Sequence, residues 1–107
     1  MNKIVAVDFD NCLAKTQYPK ILAPNMYMIE LALLHKEDGD TLILWTCREG
    51  QKLAEAVNYC RSFGLEFDFV NVNAPQTIAM FCDADNPESR KIYADYYYDD
   101  KAINVRA

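Results

Sequence analysis

Four apolar residues in a row, Ile4-Val5-Ala6-Val7, run straight into Asp8-Phe9-Asp10. A strand buried on both faces reads as such an unbroken apolar run, and strands of this kind belong to parallel sheets covered by helices on both sides. In open sheets of that class, ligands collect beyond the carboxyl ends of the strands. The run therefore predicts an α/β fold and delivers two carboxylates, one residue apart, to the edge where chemistry is done.

The rest of the chain alternates strand and helix signals. Residues 3–9 form the first predicted strand. A loop through Thr16, Tyr18 and Pro19 follows, too polar and irregular to be buried, and is expected to sit over the carboxylates. Met26, Ile29, Leu33 and Leu34 recur at helical spacing between Pro24 and Lys36; Pro24 suits the first turn and Glu37-Asp38-Gly39-Asp40 the stop. Residues 41–46 read as a second buried strand. Leu53, Ala56, Val57 and Cys60 mark a helix over 51–63, with Gly64 just past its end. Residues 67–72 read as a third strand, placed at an edge by Asn71 and Asn73. Residues 74–88 hold at most one or two helical turns between Pro75 and Pro87. The tyrosine-rich residues 93–98 form a fourth strand ending at Asp99-Asp100. Right-handed crossovers then predict a mainly parallel sheet in the order third, second, first, fourth. This is a three-layer, Rossmann-like arrangement whose switch point lies between the first and fourth strands.

At 107 residues, 1–107 is expected to be one domain with a single core and no separate substrate-covering domain. Sixteen acids against eleven Lys plus Arg give a formal net charge of −5, which disfavours broad binding to a phosphate backbone. Cys12, Cys47, Cys60 and Cys82 form no CxxC pair and sit in or beside apolar segments, as reduced structural thiols do. An early aspartate interrupts any signal-peptide core, and no apolar run approaches membrane-spanning length, so a cytoplasmic location is expected.

Asp8, Asp10, Asp99 and Asp100 are thus expected to meet across one crevice. Converging carboxylates raise one another's pKa unless a cation is present, and short acidic oxygen ligands suit Mg²⁺ shared with a substrate phosphate. An ionised aspartate there can attack phosphorus, while a second protonates the leaving oxygen and later activates water. Thr46, at the end of the second strand, and Lys91 are the candidate donors to the transferring group.

These residues resemble the signature positions of the haloacid dehalogenase-like (HAD) superfamily of magnesium-dependent phosphohydrolases and phosphotransferases, and the resemblance covers nearly the whole chain. Asp8-Phe9-Asp10 looks like its first motif, which implies Asp8 as nucleophile and Asp10 as general acid/base. Thr46 resembles the second motif's phosphate-binding hydroxyl, and Lys91, or Arg90 beside it, the third motif's cation. Asp99-Asp100 resembles the fourth motif's acidic pair. By resemblance, Mg²⁺ is held by the Asp8 side chain, the Asp10 backbone carbonyl and Asp99, with Asp100 assisting. Cys12 stands where the family usually has Thr or Val.

Asn11 and Cys47 border the same crevice as candidate substrate contacts. Arg48 is expected at its rim, where it binds a substrate anion or forms a surface salt bridge. His35, on an exposed helix end, is assigned no chemistry, and Tyr96, Tyr97 and Tyr98 are assigned to packing. Residues 11–45 and 47–90 are used up by the predicted elements, which leaves no room for the cap segments common in the family. The expected function is a capless, magnesium-dependent phosphomonoester hydrolase working through an aspartyl-phosphate. The alternatives are a phosphotransferase of the same superfamily, a non-catalytic phospho-ligand-binding module, and a crevice closed by a second subunit in a homo-oligomer.

Overall fold

The apolar run becomes the middle of the sheet. The computed structural model describes residues 2–105. In it β1 (Ile4–Val7) lies between β4 (Thr41–Leu44) and β6 (Tyr96–Tyr98), parallel to both, and β5 (Phe69–Val70) pairs with β4 at the edge. The order β5-β4-β1-β6 is the expected one. Between these strands come a hairpin, β2 (Ala14–Gln17) and β3 (Lys20–Pro24), and the helices α1 (Met26–Glu37), α2 (Gly50–Arg61) and α3 (Pro75–Phe81).

Both faces of β1 are covered, which is why its sequence shows no polar alternation. Val5 and Val7 pack with Leu42, Leu44 and the inner faces of α1 and α2, represented by Ile29, Ala32, Ala56 and Cys60. Ile4 and Ala6 pack on the other side with Ile43, Ala74, Ile92 and Ala94. Leu42 and Leu44 are fully buried, so truncating either to Ala costs about 2–5 kcal/mol, a large part of a domain's total stability.

Residues 14–24 depart from the expected polar loop: they form the antiparallel hairpin. Ala14 and Thr16 point inward while Lys15 and Gln17 point out, a period of two too short to stand out in the sequence. Pro24 closes β3 instead of opening α1. Asn25 takes the N-cap position, its backbone N–H donating to the Leu13 carbonyl and its Nδ2 to the Cys12 carbonyl. At the end of α2, Gly64 adopts φ +80° and its N–H donates to the Arg61 carbonyl, so a left-handed residue stands where one was expected.

All four predicted strands come out shorter, and at two of them side chains take up neighbouring backbone groups. The Asp68 carboxylate accepts from the Leu42 N–H at 2.7 Å, and β5 is left with two residues. The Asp95 carboxylate accepts from the Ile4 N–H at 2.8 Å, and the Tyr97 hydroxyl donates to the Ile92 carbonyl, which holds residues 93–95 outside β6. The second strand stops at Leu44, so Trp45 and Thr46 lie beyond it.

His35 is half-buried rather than free at a helix end. Its Nδ1 lies 2.7 Å from Asp40 Oδ2 and its Nε2 3.0 Å from the Tyr98 hydroxyl, tying α1 to β6. Among the described residues no helix is long and apolar enough to cross a membrane.

Candidate functional site

Because the four strands of the main sheet are parallel, their carboxyl ends share one edge. The chain steps from β1 outward to β4 and β5, then returns to β6 on the other side of β1. Asp8 and Asp99-Asp100 therefore leave adjacent strands at the switch point. A cavity of about 490 Å³ opens there, bordered by Asp8, Asp10, Asn11, Thr46, Cys47 and Asp99-Asp100, with Thr16, Tyr18, Trp45 and Lys101 completing its wall.

Asp8 is fixed through its backbone N–H, which donates to the Tyr98 carbonyl at 2.9 Å, and its Oδ1 accepts from the Phe9 N–H at 2.8 Å. Desolvation, reinforced by the charges of Asp99 and Asp100, pushes its carboxyl up to about 7. Asp8, Asp99 and Asp100 each offer an oxygen, all within 4.8 Å of one another. An oxygen-only donor set whose own repulsion disfavours ionisation fits a small hard divalent cation such as Mg²⁺.

The turn after Asp8 is pinned by Phe9. Its ring is fully buried and its carbonyl accepts from the N–H groups of Cys12, Leu13 and Ala14, a close turn that Asn11 permits with φ +55°. The Cys12 Sγ donates to the Tyr98 carbonyl at 3.5 Å, and burial beside Asp8 pushes the thiol up to about 12. It is a protonated packing group, as expected. Asn11 Oδ1 accepts from the Thr16 N–H at 3.1 Å, tying this turn to the hairpin.

Asp10 is held differently. Its Oδ1 accepts from Thr16 Oγ1 and from Arg48 Nη2, both at 2.8 Å, and its Oδ2 accepts from Arg48 Nε at 2.9 Å. The Arg48 guanidinium holds the Asp10 carboxyl below the usual carboxylate range, against the opposing effect of burial.

Arg48 corrects the sequence reading: it is neither at the rim nor in a surface salt bridge. It is fully buried, also donates to the Pro19 and Lys52 carbonyls, and lies 4.9 Å from the Phe9 ring centroid and 5.1 Å from that of Tyr18. A planar five-donor group meets all these partners at once, which a lysine would not.

Thr46 lines the cavity as expected. Its N–H donates to Asn71 Oδ1 at 2.8 Å and its Oγ1 accepts from the Arg48 N–H at 3.1 Å, which leaves its hydroxyl proton free for a ligand. Asn71, with φ +56°, is a positioning residue the sequence offered only as a strand breaker; asparagine's tolerance of left-handed backbone was the available signal.

Lys91 is not brought to the carboxylates. It borders a different cavity, with Asn73, Thr77 and Tyr93, and its Nζ lies 5.7 Å from the Tyr97 ring centroid. Arg90 is exposed and outside the crevice lining. Both residues precede β6 in the chain, whereas Asp99-Asp100 follow its carboxyl end. Lys101 follows it too: its Nζ sits 3.1 Å from Asp100 Oδ2. Its place directly after Asp99-Asp100 was the sequence signal.

Fold and site together define a small α/β protein with a carboxylate-lined crevice at the switch point of a parallel sheet. No protein-family model matches the chain, and no curated protein does. Among solved structures, it is similar to the conserved protein coded by a locus from Bacteroides thetaiotaomicron, with 34% identity, a TM-score of 0.81, and coverage of 96% of this chain and 79% of that one. The chain belongs to the same family as that conserved Bacteroides protein.

Proposed function

We propose that this protein is a magnesium-dependent phosphomonoester hydrolase of the HAD type, acting through an aspartyl-phosphate on Asp8. The observation that carries this reading is the meeting of Asp8 with Asp99 and Asp100 at the switch point, in a cavity that Thr46 and Lys101 also line. Asp8 and Asp99, assisted by Asp100 and the Asp10 carbonyl, would hold Mg²⁺, whose charge keeps Asp8 ionised and offsets that of the phosphoryl oxygens.

An ionised Asp8 oxygen forms a bond to phosphorus as the phosphorus–ester oxygen bond breaks, giving an acyl phosphate and a free alcohol or phenol. Water then attacks phosphorus, inorganic phosphate leaves, and Asp8 returns to its carboxylate. Thr46 donates its hydroxyl to a phosphoryl oxygen, and Lys101 supplies a positive charge beside it. Asp10 carries the proton on the ester-oxygen side, giving it up in the first step and taking it from water in the second. Arg48 biases Asp10 toward the ionised form, which suits the second, proton-accepting step, while the first step draws on the protonated fraction of Asp10. Among the described residues, the segment between β1 and α1 is a short hairpin that gives the cavity Thr16 and Tyr18, which supports a site without a cap.

The same Arg48 clamp favours one second reading, a phospho-ligand-binding module, because a carboxylate held ionised is a poor acid. Turnover of an aryl phosphate separates the two. The wild-type protein is expected to release phosphate only with Mg²⁺, and Asp8→Asn to release none while keeping its circular dichroism spectrum. No magnesium-dependent release from any phosphomonoester would overturn the hydrolase.

A further inference from the structure

The cavity is much larger than a phosphate group. At about 490 Å³ it falls in the range of roughly 300–1,000 Å³ that accommodates a ligand of nucleoside or drug size. Its charged and metal-ligating groups cluster at the strand ends, and two aromatic side chains, Tyr18 and Trp45, stand among the remaining wall residues.

Tyr18 sits in the turn between β2 and β3 and is 61% exposed, although its ring is far from free. The buried Arg48 guanidinium lies against one side of it, 5.1 Å from the ring centroid, and the same guanidinium is locked to Asp10 and the Pro19 carbonyl. A cation–π contact of this kind holds the ring before any ligand arrives, and the residue stays largely exposed to the cavity it borders. Trp45 is held from the other direction: it follows β4, is half-buried, and packs against the core cluster of Ile4, Ala6 and Ile43. Two aromatic groups on the wall of one cavity suit flat π-faces rather than hydroxyl patterns.

Resting on the hydrolase reading of the same crevice, we infer that its substrates are phosphomonoesters bearing a planar ring, stacked on Tyr18 and Trp45. Aryl phosphates and nucleoside monophosphates share that chemistry. Ring stacking also suits a chain of net charge −5, since it adds affinity without requiring a basic surface.

Trp45 is the single tryptophan of the chain and reports on its own contact. The test uses Asp8→Asn protein with Mg²⁺, so that esters survive, and titrates phenyl phosphate, adenosine monophosphate and glycerol phosphate while following Trp45 fluorescence. A competition assay supplies the affinity of any silent ester. The ring-bearing esters are expected to quench Trp45 and to bind about tenfold or more tighter than glycerol phosphate. Tyr18→Leu, which still covers Arg48 with an apolar group, should erase that preference, and Tyr18→Phe should keep it. Tighter binding of adenosine monophosphate than of phenyl phosphate identifies the nucleotide as the source of the ring, and equal binding identifies the aryl ester. Equal affinity for ring-bearing and alkyl esters, or a preference untouched by Tyr18→Leu, overturns the inference. Wild-type turnover without ring preference would overturn stacking and keep the hydrolase; ring-selective binding without turnover would do the reverse.

Discussion

Asp8 and Asp10 are one residue apart on the same turn, yet they are held in opposite electrostatic states. Asp8 is desolvated, faces two more carboxylates, and is pushed up to about 7. Asp10 accepts three side-chain hydrogen bonds, two of them from a buried guanidinium, and is held below its usual range. Environments that drive two neighbouring titratable groups apart are how one site assigns them different work. Asp8 is left short of positive charge, which a cation from solution would supply, whereas Asp10 has its counter-charge built into the fold.

Neutralising each carboxylate should expose this asymmetry most strongly. Asp8→Asn removes the nucleophile and is expected to lower turnover of an aryl phosphate by at least about a thousandfold, about 4 kcal/mol of barrier. Asp10→Asn keeps the nucleophile and should cost less with an aryl ester, whose leaving oxygen needs little protonation, than with an alkyl ester. Equal losses for both variants on both esters would erase the proposed division of roles.

Arg48 carries the difference in structural form. Arg48→Met leaves Asp10 without its counter-charge and the Pro19 and Lys52 carbonyls without a donor, so it is expected to lower unfolding stability by about 3 kcal/mol. Urea denaturation measures this directly. A loss below about 1 kcal/mol would show Asp10 to be as exposed electrostatically as a surface carboxylate.

The two halves of the turn also differed in how legible they were. Asp8 was readable because it follows an apolar run, and its partners Thr46 and Asp99-Asp100 follow the two strands that flank β1; element order alone brings them together. Asp10's partners come from non-local packing. Thr16 reaches it only because residues 14–24 fold as a hairpin, and Arg48 only because the chain after Thr46 turns inward. Charge and position suggested solvent for Arg48, and no periodicity marks a lone buried arginine. Lys91 is read as the cation from its resemblance to the third-motif position ahead of the fourth strand; the structure sets it on another cavity, against the Tyr97 ring.

The Asp8 shift makes stability depend on pH and metal together. Its carboxyl ionises near 3.8 in the ordinary case and near 7 in the folded chain, so between these values the native state holds the extra proton. That contribution is fully present below 3.8 and lost as pH rises through about 7. The group is partly exposed, and solvent screening reduces the conversion to about 1–2 kcal/mol. In chelator, Asp8→Asn should therefore match the wild type near pH 4 and exceed its stability by about that amount near pH 8. Adding Mg²⁺ should close the gap for the wild type alone. A gap independent of pH would mean that Asp8 is not the strained member of the pair.

The smallest effect expected concerns which lysine serves the Asp8 half of the turn. Lys101 lies 3.1 Å from Asp100 and lines the crevice, whereas Lys91 lies against Tyr97 on another cavity. A single exposed cation beside a phosphoryl group is partly screened by solvent, so Lys101→Met should lower kcat/KM for an aryl phosphate by no more than about tenfold. Lys91→Met should leave it within about twofold, since screening removes a charge held beyond the crevice wall. Lys101→Arg should recover most of the loss because the charge is retained. The reverse ranking would mean that residues 82–93 swing toward the strand ends when substrate binds, and that Lys91 then supplies the charge Asp8 lacks.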